Sequence, residues 1–289
     1  MRSTLIPARA RRVLLPATGV VLLAFAGSAI GITSAAGAAA IPHPTTKVPK
    51  LSHQLCYFSN TQPGVPGFKI PTGVLLSNQF NPGGFRPKIG PAVLNCNPVI
   101  KIVQTSTGSK RTYPITYPDG HLACFTITES VQKLPRSIIV VNQFGRGTLF
   151  PSQPNLLCLP TWKSLTKPPV EKTAEPPFLD HFTCYPVQGP NTWKIPPGIQ
   201  LQDEFTAKPV GVDVQSIATL LCLPTTKRIG KKVYKIVHPN VLLVCYPVGT
   251  TPIKSPVFDL NQFGRATIII KKTDVLCLPS KKVTGPAGG

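Results

Sequence analysis

Negative charge is scarce in this chain. Asp and Glu number 10 against 31 Lys and Arg, a formal charge of +21 over 289 residues. Charged residues make up only 14% and hydrophobic residues 42%. That excludes a mainly disordered chain, which needs low hydrophobicity and high charge. Long proline-free stretches are missing too. Pro occupies 34 positions, and each one in a helix interior costs about 3 kcal/mol, so a helical bundle is excluded. The longest run without Pro beyond residue 40 is Val257–Leu278, which holds Gly264 and the cluster Thr267, Ile268, Ile269 and Ile270. Even that run reads as strand. These absences point to an all-β protein.

Familiar catalytic signatures are also lacking. There is no Gly-x-Ser-x-Gly elbow, no standout His/Asp/Ser set and no phosphate-cradling glycine loop. The few carboxylates form no repeated pair suited to acid–base work. No catalytic residue and no cofactor is assigned.

Residues 1–40 read as a signal peptide. Arg2, Arg9, Arg11 and Arg12 precede an uncharged stretch, Val13–Ile32, and a small-residue segment ending Ala38-Ala39-Ala40. Cleavage after Ala40 is expected; the alternative is a retained membrane anchor. Arg11-Arg12 also fits a twin-arginine leader. Without the leader arginines, 27 basic residues face 10 acidic ones.

Internal repetition dominates the rest. Eight cysteines stand at Cys56, Cys96, Cys124, Cys158, Cys184, Cys222, Cys245 and Cys277, with long and short gaps alternating. Each long gap encloses one text. It opens with Cys56-Tyr57, Cys124-Phe125, Cys184-Tyr185 or Cys245-Tyr246. Its middle is Asn78-Gln79-Phe80, Asn142-Gln143-Phe144-Gly145, Asp203-Glu204-Phe205 or Asn261-Gln262-Phe263-Gly264. It closes on Cys96-Asn97-Pro98, Cys158-Leu159-Pro160, Cys222-Leu223-Pro224 or Cys277-Leu278-Pro279, each followed by a lysine: Lys101, Lys163, Lys227, Lys281. Basic bridges, Lys110–Ile115 and Lys231–Ile236, follow repeats one and three, whereas a Pro-rich stretch follows repeat two.

The units therefore pair as one-two and three-four. The expectation is two tandem disulfide-stapled β-sandwich or barrel domains, each of two repeats of about 60 residues. Residues 41–50 read as an N-terminal linker, 51–165 as the first domain, 166–179 as a solvated linker, 180–282 as the second domain and 283–289 as a flexible tail.

The pattern resembles a family of secreted bacterial and archaeal domains of unknown function, with units reading roughly His-x-x-Cys-Tyr, Asp-Gln-Phe-Gly and Leu-Leu-Cys-x-Pro-x-x-Lys. The resemblance spans about residues 51 to 282. Repeat one departs from it, with Asn97 in place of Leu and Asn81-Pro82 after Phe80. The resemblance implies an architecture and no activity.

A self-similar unit should close itself the same way each time, which favours disulfides Cys56–Cys96, Cys124–Cys158, Cys184–Cys222 and Cys245–Cys277. Bridges between repeats, such as Cys56 to Cys158 with Cys96 to Cys124, are the rival. His53, His121 and His181 lie three residues before a cysteine, but on a strand such residues face opposite sides and a disulfide sulfur is no ligand, so no metal site is assigned. Phe80, Phe144, Phe205 and Phe263 read as core anchors beside an Asn or Asp that bonds nearby backbone. Only Asp203-Glu204 has the charge for calcium, too little for a site.

The basic surplus favours an anionic partner: a cell-wall polyanion or acidic polysaccharide, with no specific nucleic acid. Lys110, Arg111, Lys227, Arg228, Lys231 and Lys232 are the candidate contacts, with Lys271, Lys272, Lys281 and Lys282 beside them. Trp162 and Trp193 are candidate sugar-stacking platforms if exposed. The reading is a secreted or envelope-associated non-enzymatic structural or binding module, with a carbohydrate or polyanion binder as the sharper form and an exported hydrolase as the rival.

Overall fold

The computed structural model describes residues 50–105, 107–129, 131–189 and 193–283. The expected leader, all but the last residue of the N-terminal linker, and all but the first residue of the tail lie outside them.

Short apolar runs punctuated by Pro, Gly and Asn form strands throughout. Repeat one supplies β1 (His53–Thr61), β2 (Leu75–Asn78), β3 (Asn81–Phe85), β4 (Lys88–Gln104) and β5 (Lys110–Tyr113). Repeat two supplies β6 (His121–Thr128), β7 (Ile138–Asn142), β8 (Gly145–Pro151) and β9 (Leu156–Ser164). Repeat three gives β10 (His181–Gln188), β11 (Gln200–Gln202), β12 (Val210–Gly211), β13 (Leu220–Ile229) and β14 (Lys232–Tyr234). Repeat four gives β15 (Leu242–Pro247), β16 (Pro252–Asn261) and β17 (Gly264–Lys282). The protein is all-β. Among the described residues no helix is long and apolar enough to cross a membrane.

The opening and closing strands of the four repeats form one ring. The order is β1, β4, β6, β9, β10, β13, β15, β17 and back to β1, with every neighbour antiparallel. Closure leaves this barrel without an open edge. Inside each repeat the two cysteines face each other in register, as in Cys56↔Cys96 and Cys184↔Cys222. At the seams between repeats a cysteine instead faces another residue type, aliphatic or aromatic in Cys96↔Leu122 and Phe182↔Cys158 and polar in Gln54↔Cys277. The barrel interior is thus a girdle of four disulfides, Cys56–Cys96, Cys124–Cys158, Cys184–Cys222 and Cys245–Cys277, packed with Leu94, Leu122, Leu156, Phe182, Leu243 and Val275. The within-repeat pairing expected from the repeats is the one observed. Side chains fill the bore, as eight strands allow, and leave only about 10 Å³ free.

The outer face of the ring is covered by the hairpins, each lent to the repeat two places away. β2 of repeat one pairs with the end of β13 in repeat three, and β11 of repeat three with the end of β4 in repeat one. β7 of repeat two pairs with the end of β17, and β16 of repeat four with the end of β9. Every hairpin turn is fastened locally. The side-chain oxygen of Asn78, Asn142, Asp203 or Asn261 accepts the backbone N–H of the Phe two residues on, at 2.8–3.0 Å. Gly145 and Gly264 follow at φ 115° and 98°, where a side chain would be strained.

Three expectations are corrected by the fold. The pairing of repeats into separate domains, 51–165 and 180–282, does not describe this fold. Seams β1–β17 and β9–β10 join the supposed domains, and the described residues all fall in one compact unit. The expected linker 166–179 is exposed over most of its first half, then packs on the body. Trp162 Nε1 donates to the Thr173 carbonyl at 3.0 Å, and Leu179 and Asp180 are buried. Nor are the tryptophans platforms. Both are buried, and Trp193 lies so close to Gly147 that a Cβ there would meet its ring at 2.5 Å.

Candidate functional site

The exchange of hairpins explains why the repeat keeps its words. The aromatic after each opening cysteine meets the Phe of the diagonal repeat edge-on. The four pairs are Tyr57–Phe205, Phe80–Tyr185, Phe144–Tyr246 and Phe125–Phe263, with centroids 5.0–5.2 Å apart. The hydroxyls meet the same turns. Tyr57 donates to Asp203 Oδ2 at 2.6 Å, while Asn78 and Asn142 donate to the Tyr185 and Tyr246 hydroxyls at 2.9 and 3.0 Å. Burial, then the Asp203 charge, pushes the Tyr57 phenol far above its ordinary range. Repeat two carries Phe125 instead of Tyr, and Asn261 there turns to Thr161 Oγ1 at 3.2 Å.

A second motif closes over each turn. The lysine ending one repeat folds onto the Phe of the next: Lys101 over Phe144 at 4.8 Å, Lys163 over Phe205 at 5.3 Å, Lys227 over Phe263 at 5.0 Å. Lys101 and Lys227 are fully buried and also face Tyr113 and Tyr234 of the bridges, at 4.8 and 4.9 Å. Burial lowers both amines to about 7. In repeats one to three a His completes the box. His53 contacts Gln143 Oε1 at 3.1 Å, the atom that also accepts from Lys101, and His181 lies 3.1 Å from Glu175. Burial, then the lysine beside it, lowers His53 to about 3 and pushes His121 and His181 down as well. These imidazoles are neutral at neutral pH. They are packing residues of the box, and among the described residues no group of three or more His, Cys, Asp or Glu is arranged to hold a metal.

One box is unlike the others, and the departures from the repeat gather there. Repeat one has Asn95 and Asn97 where the others have Leu157 and Leu159, Leu221 and Leu223, Leu276 and Leu278. Repeat three has Asp203-Glu204 for Asn-Gln, and repeat four has Asp259 where the others have Leu76, Val140 and Leu201. All meet around Lys163, whose side chain is wholly buried. Its Nζ donates to Asn97 Oδ1, to Asn95 Oδ1 at 3.0 Å, and to Glu204 Oε1 at 2.5 Å. Asn97 Nδ2 donates to Asp203 Oδ2 at 2.8 Å, and Asn95 Nδ2 to Asp259 Oδ2 at 2.6 Å. Burial raises the Asp259 carboxyl to about 7 against the opposing pull of Lys163. Asn97 and Asp203-Glu204 are visible in the sequence as separate lapses; their meeting depends on hairpin exchange between repeats one and three.

The fourth box stays open. Leu242 stands where the other repeats have His, and Lys282, at the register of Lys101, Lys163 and Lys227, is exposed. Beside it lies a recess of about 300 Å³ lined by Gln79, Pro239, Asn240, Lys281 and Lys282. Of the expected polyanion contacts, Lys110, Arg111, Arg228, Lys231 and Lys232 are exposed, on or beside the equivalent hairpins β4–β5 and β13–β14. Lys227 is corrected: it lies between two aromatic rings with no exposed surface.

In comparisons with family models, characterised proteins and solved structures, nothing matches the chain.

Proposed function

We propose that this is a secreted, non-enzymatic structural or binding module whose basic outer surface receives an anionic polymer of the cell wall or an acidic polysaccharide. The observation that carries this reading is the division among its cations. Three lysines at one register of the repeat are spent inside the fold, whereas Lys282, at the same register in repeat four, stands in an open recess with Lys281, Gln79 and Asn240. Two cations beside amide groups suit a phosphate or carboxylate polymer bearing hydroxyls. The exposed bridge cations extend the positive field. Four disulfides suit an oxidising compartment outside the cytosol.

The test is retention of the whole protein on immobilised polyphosphate and on an uncharged polysaccharide. Retention on polyphosphate that weakens steadily with salt, and falls in Lys281→Glu/Lys282→Glu, is the expected outcome. Passage through polyphosphate at low salt, or the same retention in the variant, sinks the proposal.

A further inference from the structure

The Lys163 box places a primary amine, a carboxamide and the Asp203 carboxylate together away from water, with the carboxylate of the solvent-exposed Glu204 at its edge. The Lys163 side chain has no exposed surface, and Asn95 and Asn97 are buried with it. Amine and carboxamide are in direct contact, Nζ against Asn97 Oδ1. Each of the two groups has its own carboxylate. Glu204 Oε1 lies 2.5 Å from the amine, and Asp203 Oδ2 lies 2.8 Å from Asn97 Nδ2, the nitrogen that a displacement at Cγ would expel. Tyr57 donates to that same Asp203 oxygen at 2.6 Å and holds it in place. The other three repeats keep Leu159, Leu223 and Leu278 at the Asn97 position, and only repeat three has the acidic pair. Asp259 Oδ1 is buried without a hydrogen-bond partner, which packing alone does not explain.

We propose that Lys163 and Asn97 join in an amide cross-link, formed by the folded protein itself with Glu204 and Asp203 as its acid–base groups. The reaction is a transamidation and balances without any co-reactant. The Lys163 ammonium passes a proton to Glu204, and the freed lone pair on Nζ adds to Cγ of Asn97. The Cγ=O bond opens to a tetrahedral oxyanion. On its collapse the Cγ–Nδ2 bond breaks, Nζ sheds a second proton through Asp203 to the departing nitrogen, and ammonia leaves. With the proton held by Glu204 it departs as ammonium, so one ammonium is consumed, one is released and nothing is oxidised or reduced. Contact in a fixed orientation supplies the effective concentration that an unassisted amide exchange lacks.

The link would tie β4 to β9 across β6, which lies between them in the ring. It would also close a loop that contains the Cys124–Cys158 disulfide. It needs no ligand and does not depend on polymer binding.

The deciding experiment is the intact mass of the full-length protein, purified as secreted, fully reduced and denatured, followed by peptide mapping. The expected mass is one ammonia below that calculated for the measured N-terminus, with a branched peptide joining Lys163 to Asn97. Glu204→Gln, which keeps the shape of the box, and Asn97→Leu, which restores the residue of the other repeats, should both return the full mass. In a denaturing gel after reduction, the wild type should migrate faster than Asn97→Leu. Full mass in the wild type, with separate Lys163 and Asn97 peptides, overturns the proposal. So does ammonia lost without a branched peptide, as when an asparagine cyclises on its own backbone, or a branch at Lys101–Gln143.

Discussion

Cys56 and Cys277 belong to different disulfides and stand 221 positions apart, yet their sulfurs lie 3.9 Å from each other. Both sulfurs are oxidised, so this is a packing contact. It marks the seam where the first opening strand meets the last closing strand. Cys158 and Cys184 make the matching contact at 3.7 Å across the seam between repeats two and three.

The seams predict how the chain responds to being cut. Proteolysis in the exposed part of 165–174 should leave a nicked protein that stays in one piece by native mass spectrometry and melts as one transition. The halves 51–165 and 180–282, made separately, each lose both seams and the hairpins that cover their barrel strands. Each should lack a cooperative melt alone and regain one on mixing. A half that melts cooperatively by itself would show that the ring is not the folding unit.

Stability should rise with pH on both sides of neutrality. Lys101 and Lys227 have folded values of about 7 against 10.5 when unfolded. Between those values the unfolded chain binds more protons, so stability climbs as pH rises. The three buried histidines act the same way lower down: stability falls as pH drops below their ordinary 6.5, toward the folded value of about 3 for His53. Asp259, raised from 3.8 to about 7, and Asp274, raised by burial from 3.8, work in the opposite sense but are two groups against three histidines. Melting temperatures across this range should increase with pH, and Lys101→Met/Lys227→Met should flatten the part above 7. An unchanged alkaline slope in that variant would assign the effect to other groups. No free cysteine is present to reshuffle the disulfides.

The diagonal contacts should be held mainly by their rings. Phe144→Ala removes a fully buried ring and should cost about 3–5 kcal/mol in urea unfolding. Tyr246→Phe removes only a hydroxyl and should cost about 1 kcal/mol, because Asn142 Nδ2 keeps Ser280 Oγ at 3.1 Å. Repeat two already lives with Phe125 at that position. Equal losses in the two variants would mean that the hydrogen bond holds the diagonal.

Strand content, disulfide pairing and the Asn-to-backbone turns were legible because each is local. Cys124 and Cys158 close one repeat, and Asn142 reaches only to Phe144. The single ring is not legible in the sequence because the Pro-rich composition of 166–179 resembles a tether, while what joins the halves, β1 against β17, leaves no local trace. The buried lysines were hidden for a related reason. Lys227 sits in a run of basic residues and reads as surface. Its burial depends on Phe263 and Tyr234 arriving over it, one from the next repeat and the other from the bridge.

The exchange of hairpins between diagonal repeats also sets an order in time. As the chain emerges from its N-terminus, repeats one and two can form their own disulfides, whose loops span only 40 and 34 residues. Their hairpins have no receiving strand until β13 and β17 exist. The local clasps therefore come early and the outer layer last, gated by the slow closure of long-range contacts. A chain halted before β17 leaves the ring open and the hairpin of repeat two without its partner. The final 19-residue strand acts as the completion signal for the whole molecule.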